Sequence, residues 1–116
     1  MKGSSVLDHM RAICLELPNT KETITWGEPH FRVGEKIFAG YGEKEGHPSI
    51  GFKLQMEHAD VLTQNDPRFA RAPYVGHKGW VSMDARKIKD WDEVRGLVRE
   101  SYRLIAPKKL AAMVGG

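Results

Sequence analysis

The chain holds a single cysteine, Cys14, which excludes an internal disulfide framework and a thiolate metal cluster. No apolar run approaches the ~20 residues that span a bilayer. The N-terminal Met-Lys-Gly-Ser-Ser leads into an amphipathic segment carrying Asp8 and Glu16, not into a signal-peptide core, so a cytoplasmic location is the expectation. Of the histidines His9, His30, His47, His58 and His77, none has a His or Glu partner four residues along one helix face, so no metal site or cofactor is expected. Nucleophile-elbow and phosphate-loop signatures are absent as well. Gly40-Tyr41-Gly42 followed by Gly46 lacks a Gly-Lys-Ser/Thr ending and reads as a hairpin turn. An enzyme is therefore not expected.

What remains is a chain of 116 residues, sized for one domain with its own core. The net charge of +3 is mild, but it is unevenly placed. Residues 1–59 carry 7 Lys/Arg against 8 Asp/Glu, and residues 60–116 carry 11 against 7. Attraction to an anionic partner is thus expected from the second half.

Hydrophobic periodicity sets out the elements. A helix is predicted over 5–17, with Ser5 and Asp8 as a capping pair and Val6, Met10, Ile13, Cys14 and Leu17 on one face. Pro18 stops it. Strands are predicted at 23–26, as a hairpin over 30–41 with its turn at Gly34-Glu35, and at 49–54. A short helix covers 57–64 and ends at Asn65-Asp66-Pro67. A shaped loop, 68–79, then feeds a strand at 80–83. A long helix runs over 91–105, with Asp90 as its cap and Glu93 three residues on as its capping-box partner. A last short helix lies within 108–114. The order describes an α+β domain with an antiparallel sheet and its helices on one face.

The residues that suit recognition concentrate in 68–83. Arg68, Arg71 and Lys78 can hold phosphate oxygens, Tyr74 and Trp80 can stack on bases, and His77 lies between them. Gly76 and Gly79 allow a ligand to approach the backbone. Arg95, Arg99 and Arg103, four residues apart, form a stripe on the last long helix. The stripe suits either phosphate contact or a solvated face with local pairs Asp92–Arg95 and Glu100–Arg103, which leaves Arg99 without a local partner. Cys14 reads as a small buried hydrophobe. Trp26 and Trp91 read as core.

Six pieces in this order and spacing carry a resemblance: Cys14-Leu15-Glu16-Leu17-Pro18, Trp26-Gly27-Glu28-Pro29-His30-Phe31-Arg32-Val33, Lys36-Ile37-Phe38-Ala39, Pro73-Tyr74-Val75-Gly76, Gly79-Trp80-Val81 and Glu100-Ser101-Tyr102-Arg103-Leu104. Over nearly its full length the chain resembles the MmcQ/YjbR family of small bacterial proteins. The resemblance implies an α+β fold like the "double wing" DNA-binding fold, with no catalytic residues to carry over. The function expected is non-enzymatic DNA binding through Arg68, Arg71, Tyr74, His77, Lys78, Trp80 and Arg99. The alternative is a module that binds a protein partner or a small anionic ligand.

Overall fold

The computed structural model describes residues 5–73 and 78–115. Its elements are α1 (Val6–Leu15), β1 (Thr20–Thr25), β2 (Glu28–Val33), β3 (Lys36–Lys44), β4 (His47–Lys53), α2 (Met56–Asn65), β5 (Phe69–Arg71), β6 (Trp80–Asp84), a 3-10 turn (Ala85–Lys87), α3 (Trp91–Ile105) and α4 (Lys108–Ala111). The strands form one antiparallel sheet in the order β1-β2-β3-β4-β6-β5. No helix among the described residues is long and apolar enough to cross a membrane.

At the N-terminus the capping pair and the buried face are as expected, whereas α1 ends at Leu15, two residues short of the predicted Leu17 and three before Pro18. Ser5 Oγ accepts the Asp8 N–H at 3.0 Å, Asp8 returns a bond to the Ser5 N–H, and Met10, Ile13, Cys14 and Leu17 are buried. Burial pushes the Cys14 thiol far up from its ordinary range, leaving it an inert apolar group. At α3, Asp90 caps as expected by accepting the Asp92 N–H. The Glu93 carboxylate does not complete a capping box, because both of its oxygens are taken by Arg68.

Two strand assignments change. Glycines 40 and 42 do not turn the chain. They lie inside β3, which runs on to Lys44, and the reversal falls at Glu45-Gly46. Residues 69–71 are a short edge strand instead of loop. Alternation along the sheet then defines two faces. Phe31, Val33, Ala39, Ile50, Phe52, Phe69, Val81 and Met83 are buried, under α1 and α3. The residues between them, such as Ser49, Gly51, Trp80 and Ser82, stay partly exposed on the other face.

α3 holds this arrangement through three consecutive side chains. β3 carries an extra residue opposite Phe31/Arg32, and the bulge breaks the alternation, so that Phe38 and Ala39 are both buried. Ala39 pairs with Phe52, which brings Phe38 opposite Lys53. At this step the hydroxyl of fully buried Ser101 enters the ladder. It donates to the Phe38 carbonyl at 2.6 Å and accepts the Lys53 N–H at 2.9 Å. Next to it, Tyr102 stands edge-on to Phe38 and donates its hydroxyl to the Pro18 carbonyl at 2.6 Å. Glu100 accepts the Gln55 N–H and contacts His58 Nδ1 at 2.8 Å, which anchors the start of α2.

Gly79 serves the fold as well. Its φ is +94°, and a Cβ there would run into the Leu54 carbonyl oxygen, so its open flank takes the protein's own backbone and not a ligand. Ser101→Ala should cost about 2 kcal/mol, since two partly buried backbone groups lose their partner. Gly79→Ala should cost about 3 kcal/mol, from φ strain plus a backbone clash. Urea unfolding of each variant checks both values.

Candidate functional site on the open face of the sheet

The face without helices carries a furrow. Across it, His30 pairs with Gly40, Gly40 with Gly51, and Gly51 with Ser82. These small residues leave the pleated surface low. The main depression measures about 430 Å³, with Gly40, Gly42, Ser49, Gly51 and Ser82 along it. His30 and Glu28 stand at its β2 end, Trp80 and Pro73 at its β6 end. A second depression of about 190 Å³ shares Lys44, Ser49 and Ser82 with the first and extends the furrow toward His47, Arg68 and Arg86.

The β3 glycines are needed for close approach. A Cβ at Gly40 would stand 2.8 Å from the His30 ring, and one at Gly42 would stand 2.5 Å from the Glu28 carboxylate. His30 Nδ1 lies 2.9 Å from its neighbour's carbonyl, that of Glu28, and Glu28 Oε2 accepts the Glu43 N–H at 3.1 Å. On the same face Arg32 is fixed by Thr23, Thr25 and the Glu35 carbonyl.

The expected site residues do not converge. Arg68 is clamped between two carboxylates, Asp66 at 2.8 Å and Glu93 at 2.9 Å, with its fork filled. Those bonds hold the guanidinium pKa above its ordinary value, and the Asp66 carboxyl is held below its own. Arg71 pairs with Asp60 of α2. Arg99 lies on α3, across the sheet from the furrow, and shares Glu16 with Arg95. The local pair Asp92–Arg95 forms at 2.9 Å, whereas Arg103 reaches the Gly115 carbonyl because Glu100 is turned to α2. Lys78 is exposed, and Trp80 borders the furrow opposite Lys53. Tyr74, Gly76 and His77 lie outside the described residues. Among the described residues no group of three His, Cys, Asp or Glu side chains is placed to hold a metal ion.

Trp26 departs furthest from its sequence reading. It is not core: it is 86% exposed, at the tip of the β1–β2 hairpin. Trp26 and Gly27 occupy a two-residue turn with φ of +55° and +81°, the geometry that Asn-Gly normally fills. A left-handed tryptophan carries roughly 1 kcal/mol or more of strain. Its ring stands edge-on to His30 at 5.8 Å, so the tip continues the β2 end of the furrow. β-Branched Thr23, Ile24 and Thr25 suggested a strand running through Trp26; the Gly27 that follows was the available signal for a turn. Trp91, by contrast, packs against the core and stacks on His9 at 4.3 Å.

One charged pair in the furrow gives a direct check. Asp84 accepts two bonds from the Arg86 side chain, chiefly for which its pKa is held down to about 2. A carboxyl depressed in the folded state stabilises above its unfolded pKa, and that contribution is lost as pH falls from about 4 through about 2. Carboxyl-detected NMR titration should show Asp84 ionised down to about pH 2. In Arg86→Ala its midpoint should move up to near 3.8.

The fold has solved counterparts. A crystal structure of a Deinococcus radiodurans protein with a DUF419 domain superposes with a TM-score of 0.77 at 24% identity, covering 96% of this chain and 88% of that one. A Pseudomonas syringae protein superposes with a TM-score of 0.69 at 17% identity, covering 87% and 98%. No curated protein matches the chain. The YjbR family model matches residues 15–104, a span that takes in the sheet, the furrow and the α3 anchor, and the chain belongs to the YjbR family.

Proposed function

We propose that this protein is a non-enzymatic nucleic-acid-binding protein, with DNA as its partner and the open face of the sheet as its contact surface. The observation that carries the reading is the furrow itself, a glycine-floored channel walled by Trp80 and lined by Lys44, with Lys53 paired opposite Trp80 on β4 and Lys78 exposed two residues before Trp80. Among the described residues none of these three lysines is in an ion pair, while Arg68, Arg71, Arg86, Arg95 and Arg99 are each paired with a carboxylate. Unpaired ammonium groups keep their full charge for phosphate, and an indole on the wall offers a stacking surface. At the β2 end His30 Nδ1 and Glu28 Oε2 are each engaged with a backbone group, and the Cys14 thiol is buried.

A second reading takes the same furrow as a pocket for a small anionic ligand, because its volume falls in the range of ligand sites. The two separate by titration. A labelled oligonucleotide should bind with log affinity falling against log salt at a slope of roughly −2 to −3, as expected for about three phosphate contacts. Lys53→Ala with Lys78→Ala should flatten that slope by about 1.5 to 2. If a mononucleotide or inorganic phosphate binds as tightly as the oligonucleotide, the pocket reading replaces the nucleic-acid one.

A further inference from the structure

Resting on that reading, we infer that the furrow takes single-stranded nucleic acid, and that Trp26 is the stacking platform at its β2 end. Trp26 combines three features. Its ring is 86% exposed. It occupies a left-handed position in a turn that a smaller residue would fill without strain. Its ring is carried against His30, whose imidazole lies over Gly40 along the furrow. An exposed indole contributes nothing to the core, and the strained turn holds it at the mouth of the channel.

Geometry favours one strand over two. β2 and β6 are separated by β3 and β4, three strand spacings or roughly 14 Å across the sheet, and Trp80 lies two residues along β6 from Ser82, the residue in line with His30. Platforms at the two ends of a low channel can each receive the face of an unstacked base. In a duplex those faces are covered by neighbouring base pairs, and only backbone and groove edges are presented. Lys44 lines the channel, Lys53 pairs with Trp80 across β4 and β6, and exposed Lys78 precedes Trp80 by two residues, which supplies cations for the phosphates of such a strand.

Trp26→Asn is the informative variant, because Asn-Gly is the preferred pair for this turn. It should raise the melting temperature and, at the same time, weaken binding of a single-stranded oligonucleotide about tenfold, with the salt slope unchanged. Trp26→Phe should restore most of the affinity. Wild-type protein should bind the single strand more tightly than the matching duplex, with quenching of indole fluorescence that is reduced in Trp26→Asn. The inference is overturned, with the nucleic-acid reading intact, if Trp26→Asn binds the single strand like wild type while the Lys53/Lys78 variant is weakened. Tighter binding of the duplex overturns it likewise. Binding of neither form at low salt overturns both readings.

Discussion

The hydroxyl of Ser101 is the contact on which the rest of the architecture depends. A bulged strand must separate from its neighbour somewhere, and here the opening falls between Phe38 and Lys53. Left alone, that step would expose a carbonyl and an amide inside the protein, each costly to desolvate without a partner. One side chain from α3 satisfies both. Because Glu100 and Tyr102 flank it and reach the start of α2 and the α1–β1 connection, one turn of helix fixes three other parts of the chain. That concentration on one face of the sheet leaves the opposite face free of helices.

Charge is distributed by a second constraint. Five arginines of the second half, Arg68, Arg71, Arg86, Arg95 and Arg99, meet carboxylates. Arg68 illustrates the cause. It follows Asp66 by two residues, and the fold brings Glu93 from the first turn of α3 against it, so its planar fork joins two elements. Its partly buried position makes it a structural crosslink. Lys44 lines the furrow and Lys53 lies opposite Trp80, both from the half with the negative balance, and among the described residues neither they nor exposed Lys78 is in an ion pair.

The open face combines permissiveness with strain. Glycines at 40, 42 and 51 contribute no side-chain packing to β3 and β4, and the space above them is taken up by His30 and Glu28 or left as channel. The hairpin tip adds a tryptophan where local preference asks for asparagine. Both features run against stability taken alone, and both border the same depression.

Much of the fold is legible in the residues themselves. The capping pair Ser5/Asp8, the buried stripes of α1 and α3 and the alternation of β4 and β6 follow from short-range rules that act along the chain. So does the burial of Cys14, on the apolar face of its helix. The family pieces were visible too, but not their purpose. Glu100-Ser101-Tyr102 looks like ordinary helix, and its meaning lies in partners 45, 48 and 84 residues away. For the same reason the basic loop was only partly readable: Trp80 does border the furrow, whereas the fate of Arg68 and Arg99 turned on carboxylates at Glu93 and Glu16. Trp26 was misplaced because hydrophobicity predicts burial on average, while a two-residue turn forces the side chain outward whatever its type. The sequence by itself thus determined the elements, their buried faces and the family, all of which depend on nearest neighbours and periodicity. Only the tertiary structure decided which charges are cancelled, which glycines floor a channel and which tryptophan faces solvent, because those depend on which distant groups the sheet order brings together.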